Sequence, residues 1–288
     1  MIISKTIKIN GLNFAIDECG EGENIALLLH GFPEARQTWH KQMPIIAKQG
    51  WKVIAPDLRG YGDSDKPKGK KHYHINKLIE DVDAIFNHYK SKKRLLIGHD
   101  WGGCIAWAFA LSNQTKLDGL LIINMPHPFI RIQVLKTSKE QQIKSKYISN
   151  FKLPIISEMR LTKDNAKAIE NIFASMLVDK AKLDYGLINI YKNNALKKGA
   201  INAMLNYYRQ VQSYRDFCKI NHKVIETATL MIWGEEDKAF VIEHTYNNKE
   251  LFNDFTLKKL PNISHFVQME ASELLNEALI DWLENKNL

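Results

Sequence analysis

Cysteine is scarce: Cys19, Cys104 and Cys218 are the only three in 288 residues. An odd, widely spaced set supplies neither a disulfide framework nor metal-ligand spacing, so reduced buried thiols in a cytoplasmic protein are expected, with no metal site. Long apolar runs are missing as well. No stretch reaches the ~18 residues of a membrane span, and Met1-Ile2-Ile3-Ser4-Lys5 lacks the basic and apolar regions of a secretory signal. No membrane partner is expected on those grounds. No internal repeat or low-complexity linker interrupts the chain. Lysine, by contrast, is plentiful, and the net charge is +8. The one dense cluster, Lys66 to His72, lies in a Gly/Pro-containing loop without interleaved aromatics, which speaks against nucleic-acid binding and for solvated lysines.

What is present is ordinary for a globular chain, with 45% hydrophobic and 25% charged residues. That composition and length allow one large α/β domain carrying an insertion, with a core that needs no disulfide or metal. Residues 4 to 18 alternate and turn at Asn10-Gly11, which predicts a hairpin. Ile25 to His30, Lys52 to Pro56, Arg94 to Ile97 and Leu120 to Asn124 are short strand-like runs. Helical stretches separate them, over Ala35 to Gln49, Ile75 to Tyr89 and onward from Asp100. Strands alternating with helices signal a parallel sheet covered on both faces. From Met125 to Asn221 only helical patterns occur. The alternation resumes with a strand at Thr227 to Trp233, a helix from Val241, a strand at Phe255 to Leu260 and a helix from His265 to Asn285. The expected organisation is a core domain over 1–125 and 222–288 with a helical cap over 126–221.

The most informative segment is LLIGHDWGGCIA, Leu95 to Ala106. A strand runs through Gly98-His99-Asp100-Trp101-Gly102-Gly103 into a helix, and a turn this sharp needs small residues two before and two after its centre. The competing reading is a structural Gly-rich turn with an N-cap Asp; its place between a mid-sheet strand and a helix speaks against that. The pattern resembles the nucleophile elbow of α/β hydrolases, with a carboxylate where esterases carry serine. An aspartate, with a pKa near ~3.9, is an anion at neutral pH and needs no base to attack. It does need a saturated electrophilic carbon, and the resulting alkyl ester needs an activated water and an oxyanion hole.

The elbow implies an acid and a histidine later in the chain, in that order. Met231-Ile232-Trp233 leads into Gly234-Glu235-Glu236-Asp237, a loop at a strand's C-terminal end carrying three carboxylates. His265, in Asn262-Ile263-Ser264-His265-Phe266, follows the last expected strand and is the candidate general base. For the oxyanion hole the candidates are two backbone N–H groups, from Trp101 and from Phe32 in His30-Gly31-Phe32-Pro33-Glu34. Pro33 is a candidate for a cis peptide. His30 is read as ordering its loop.

Together HGFPE (30–34), DLRGYGDSDKP (57–67), GHDWGG (98–103), WGEEDKAF (233–240) and SHFVQMEAS (264–272) resemble the epoxide hydrolases of the α/β-hydrolase superfamily across nearly the whole chain. The resemblance implies an α/β-hydrolase fold, a mostly parallel sheet flanked by helices with an inserted helical cap. It selects Asp237 as the acid, with Glu235 the alternative. It implies two proton-donating tyrosines in the cap, Tyr208 in LNYYR and Tyr147 in YISNF. Each step then has a protein group or water to perform it, so no cofactor is implied. Phe32, Trp101 and the cap aromatics indicate an apolar pocket for a small hydrophobic epoxide.

Several of these motifs are shared with haloalkane dehalogenases, which use the same Asp nucleophile. Those enzymes usually hold halide with the indole after the nucleophile and an Asn in the HG-x-P loop. Trp101 is present, but Phe32 takes the Asn position. The arginine that fluoroacetate dehalogenases place beside the nucleophile is likewise replaced, with Trp101 and Cys104 in that neighbourhood. A silent ligand receptor of this fold would have lost a catalytic group, and all of them are retained.

Overall fold

The computed structural model describes residues 1–221 and 223–288; His222, where the second core segment is expected to begin, lies outside the described residues. The hairpin forms: β1 (Ile2–Ile9) pairs antiparallel with β2 (Leu12–Cys19), and Asn10 and Gly11 take positive φ between them. The apolar runs become β3 (Ile25–Leu29), β4 (Lys52–Pro56), β5 (Arg94–His99), β6 (Gly119–Ile123), β7 (Ala228–Gly234) and β8 (Phe255–Leu260). They join the hairpin in one sheet of order β1-β2-β4-β3-β5-β6-β7-β8, parallel from β4 to β8. Strand alternation divides the core in two. Leu27 and Leu29 of β3 face one apolar cluster, while Ala26 and Leu28 face the other.

Helices α1 (Met43–Lys48), α2 (Ile75–His88) and α3 (Trp101–Ser112) cover the sheet in the first half. In α2 the predicted stripe Leu78, Ile79, Val82, Ile85 and Phe86 is the buried face. Between β6 and β7 the described residues form α4 (Pro128–Thr137), α5 (Lys139–Lys144), α6 (Lys146–Phe151), α7 (Ile156–Met176), α8 (Tyr185–Leu196), α9 (Ala200–Arg209) and α10 (Val211–Ile220). The chain ends with α11 (Val267–Glu270) and α12 (Ser272–Lys286).

Three expected helices differ. The stretch from Ala35 to Gln49 splits into a 3-10 turn, Arg36–Trp39, and α1, whose first turn holds Pro44. Proline lacks the N–H that a continuous helix would need there. After Val241 only two 3-10 turns form, Ile242–Thr245 and Lys249–Leu251, because the chain must double back to reach β8. The final helix begins two residues later than expected and breaks at Ala271, whose φ of −135° is not helical.

Buried polar side chains tie the helical insertion to the sheet. Gln141 of α5 donates to Ala239 O (3.0 Å) and accepts from Val241 N–H (2.9 Å) in the loop after β7. Glu270 of α11 accepts from Val178 (2.7 Å), Asp179 (2.8 Å) and Ser264 (2.7 Å) N–H groups. Tyr207 of α9 donates its hydroxyl to Arg59 O (2.8 Å). Arg59 in turn grips both oxygens of Asp81 on α2, at 2.6 Å each. Burial pushes the Asp81 carboxyl above its ordinary value, more than the guanidinium pulls it down. A lone Asp81 would therefore be poorly tolerated. Arg59→Met is expected to lower the unfolding free energy by about 3–5 kcal/mol in a urea titration. Adding Asp81→Leu should restore most of it, and a single-variant loss within experimental error would rule out this tether.

Candidate active site

The strand order places the site. From β3 the chain crosses to β4 on one side, whereas β5 lies on the other, so the loops after β3 and β5 diverge. Crevices at such divergence points, outside the carboxyl ends of parallel strands, are where α/β sheets bind ligands. The loop after β3 is His30-Gly31-Phe32-Pro33-Glu34, and the residue after β5 is Asp100.

Asp100 stands at φ 48°, ψ −118°, a conformation that costs a non-glycine residue about 1–3 kcal/mol. Close backbone packing enforces it. A Cβ on Gly98 would meet Gly102 O at 2.5 Å, and one on Gly102 would collide with the Leu29 carbonyl. The turn projects the buried Asp100 carboxylate over the sheet edge, where its Oδ1 accepts from the Phe32 N–H at 2.8 Å. Trp101 is the first residue of α3, where an N–H has no acceptor within the helix. The Phe32-Pro33 peptide is cis.

His265 reaches the same carboxylate from the loop after β8. Its Nε2 is 3.7 Å from Asp100 Oδ2, and its Nδ1 is 2.7 Å from Asp237 Oδ2. Burial alone would lower the imidazole pKa, but the Asp237 and Asp100 carboxylates outweigh it and push it up to about 10. Asp237 is fixed by Asn124 Nδ2 (2.7 Å) and by the Ala239 and Phe240 N–H groups (2.6 and 3.0 Å). Burial pushes its carboxyl up; His265 and these donors pull it below the ordinary value. Glu235 faces Lys259 at 3.4 Å and Glu236 is exposed, so Asp237 is the carboxylate that meets His265.

The loop after β3 is held from behind. His30 faces Gly31 O through Nδ1 (2.9 Å) and accepts from Leu58 N–H through Nε2 (3.1 Å), bonds that order the loop and leave no ring nitrogen for chemistry. Glu34 accepts from Gly31 N–H (2.9 Å) and Thr38 Oγ1 (2.7 Å) and faces His99 Nδ1 at 2.7 Å. Burial would raise its carboxyl, yet His99 and the surrounding donors hold it at about 2. The other His99 nitrogen lies 3.0 Å from the His265 carbonyl, so one buried ring touches both loops.

The helical insertion closes the far side with aromatics. The Tyr208 ring of α9 packs edge-on against Phe32 (5.4 Å) and Trp101 (5.2 Å). Tyr147 of α6 lies 6.1 Å from Tyr208, and Phe151 fills the space between Phe32 and both tyrosines, at 5.0–5.4 Å. Burial raises both phenols above their ordinary pKa, and the Asp100 charge is the next cause for each. The structure thus brings Asp100, Asp237, His265, Phe32, Trp101, Tyr147 and Tyr208 together and leaves the alternative acid, Glu235, outside.

Sequence reasoning missed Asn124, Phe151 and the buried group of Glu34, His99 and Gln268. Asn124 carried one signal, an Asn at a strand end, where its side chain tolerates the positive φ found there (41°). Gln268 donates to Glu34 at 2.5 Å from α11, a contact across 234 residues that no local pattern announces. Among the described residues no cluster of His, Cys, Asp and Glu could hold a metal ion, and no helix is long and apolar enough to cross a membrane.

Comparison with known proteins agrees with this fold. Residues 26–142 match the alpha/beta hydrolase fold family. Mouse epoxide hydrolase 4 is 32% identical over 286 residues, covering 97% of this chain and 79% of its own. The AB hydrolase superfamily protein YfhM of Bacillus subtilis is 31% identical over 282 residues, covering 97% of both chains. The crystal structure of an epoxide hydrolase from Bacillus megaterium in complex with an inhibitor superposes with a TM-score of 0.90 at 28% identity, covering 97% of this chain and all of that one. The chain belongs to the epoxide hydrolase family of the α/β-hydrolase superfamily.

Proposed function

We propose that this protein hydrolyses a small, apolar epoxide to the vicinal diol, with residues 1–125 and 222–288 as the catalytic core and 126–221 as its cap. The observation that carries the reading is the arrangement around Asp100, with a backbone N–H on one oxygen, an imidazole near the other, and the Tyr208 ring, with Tyr147 beside it, packed against the neighbouring Phe32 and Trp101. Oδ1 stays on the Phe32 N–H while Oδ2 attacks an epoxide carbon. The C–O bond breaks as the C–Oδ2 bond forms, and Tyr208 or Tyr147 gives its proton to the leaving oxygen. Raised phenol pKa values keep that proton in place until an alkoxide, a far stronger base than a phenolate, develops.

Alkylation also switches His265. In the resting site the two carboxylates hold the ring as imidazolium. Once Asp100 is an ester, its contribution to that stabilisation is gone, and the imidazolium can restore the phenol's proton through solvent. The neutral ring, oriented by Asp237, then takes a proton from water attacking the ester carbon. The Phe32 and Trp101 N–H groups hold the oxyanion. Collapse releases the diol and returns carboxylate and imidazolium, so the proton count closes. Phe32, Phe151 and Trp101 favour an apolar substrate; Trp101 alone makes a poor halide cradle, with Phe32 opposite it.

In a paired turnover assay, styrene oxide and aliphatic epoxides should give diol, and 1-bromobutane or 1,2-dibromoethane should release no halide. Asp100→Ala should abolish diol formation and Tyr208→Phe reduce it at least tenfold, less than the about 10²–10⁴ of a lone proton donor because Tyr147 remains. Halide without diol would make this a dehalogenase. In His265→Gln, alkylation should proceed and hydrolysis stall, so intact mass should rise by one substrate on Asp100; an inactive, unmodified protein would sink the role given to His265. The imidazole also gives a pH test. A folded pKa of about 10, above the ordinary 6.5, means the ring's stabilising contacts are complete below 6.5 and lost as pH rises through 10. Histidine NMR should show His265 charged at neutral pH in the wild type and titrating lower in Asp100→Asn; identical titrations would break the proposed switch.

A further inference from the structure

We propose that the corner between α6 and α7 is a docking surface for a lipid bilayer with anionic headgroups. Leu153, Ile155, Ile156 and Met159 are 44%, 71%, 48% and 66% exposed. Four large apolar side chains open to water within seven residues mark an interaction surface rather than scattered surface hydrophobes. The backbone is strained to present them. Ile155 has φ 68° and ψ −53°, and the Ile156 N–H donates to Pro154 O at 2.7 Å, closing a positive-φ γ-turn. Such a turn is rare, and a β-branched residue is badly suited to it. The first turns of α7 continue the pattern: Ser157 and Leu161 point inward, while Ile156, Met159, Arg160 and Lys163 are exposed.

Charge identifies the occupant. Lys139, Lys146, Lys152, Arg160 and Lys163 lie around these side chains in sequence, and among the described residues none has an ion-pair partner. Of the nearby carboxylates, Glu140 faces Lys144 and Glu158 faces Arg209, which leaves the exposed Asp164 as the one set against these five cations. Like charge also crowds the corner: burial and Arg215 lower the Lys152 pKa, and burial and Arg131 lower that of Arg215. A second copy of this chain would set one cationic face against another. A bilayer surface offers both hydrocarbon for the isoleucines and negative charge for the lysines. The absence of a spanning segment, which led to no membrane partner being expected, does not bear on a peripheral contact of this kind. The place also suits apolar substrates, because Tyr147 and Phe151 on α6 face the site and Lys152 turns outward next to them. The docking itself does not depend on which reaction the site performs.

The test is co-sedimentation of the full chain with phosphatidylcholine vesicles, with and without about one-third phosphatidylglycerol, at low salt. The wild type should pellet roughly tenfold more with the anionic vesicles, and raised salt should release it. Ile155→Ser/Met159→Ser should abolish pelleting, and Lys146→Gln/Lys152→Gln/Arg160→Gln should remove the preference for anionic lipid. All five positions are exposed, and unchanged turnover of a water-soluble epoxide would verify the fold. Wild type that stays in solution, or a serine variant that pellets like wild type, overturns the proposal. So does a dimer on sizing chromatography that the serine variant dissolves, which would make the corner a contact between copies.

Discussion

The hydrogen bond from the Phe32 N–H to Asp100 Oδ1 joins two loops that the sheet sends in opposite directions, and the rest of the site is arranged so that this bond can exist. On one side, Gly98 and Gly102 let strand and helix approach until Asp100 has nowhere to go but outward. On the other, Glu34 holds the Gly31 N–H so that the next N–H along the chain points at the carboxylate. His99 links the two supports to the His265 carbonyl. Neighbouring backbone amides and buried side chains therefore fix the Asp100 carboxylate oxygens before any ligand arrives, which is the condition for electrostatic stabilisation without reorganisation.

The same economy governs how the helical insertion meets the sheet. Its apolar contacts, such as the Phe173–Phe266 ring pair at 4.2 Å, are supplemented by buried polar ties. Glu270 collects two N–H groups from the insertion and one from the residue before His265, so a single carboxylate aligns the aromatic wall with the imidazole. Gln141 does the corresponding task at the loop carrying Asp237, with Lys144 reaching the Asp237 carbonyl at 3.0 Å. Buried polar ties of this kind fix direction as well as distance, which apolar packing does not.

Most of the sheet was legible because its strands are buried on both faces and so read as unbroken apolar runs bounded by turns. The elbow was legible because its geometry demands glycine at fixed offsets. The acid was not decided by residues alone: Glu235, Glu236 and Asp237 are adjacent, and only the fold turns Asp237 inward and leaves Glu235 with Lys259. The helix expected after Val241 failed for a related reason. Helical periodicity over a few residues says nothing about where the next strand lies, and the path to β8 allowed only two short 3-10 turns. Asn124 and Gln268 act through partners more than a hundred residues away, contacts that the folded chain alone creates.

The wall of the site rests on a short element. Tyr147 and Phe151 stand four positions apart on α6, a helix of six residues, and so share a face. Inserting or deleting one residue before Tyr147 would rotate both by about 100° and swing them out of the site together. Exchanging either for another side chain would leave the helix where it is. Lineages that diversify this pocket should therefore do so by substitution at a fixed length of α6, with insertions and deletions pushed to the connections on either side.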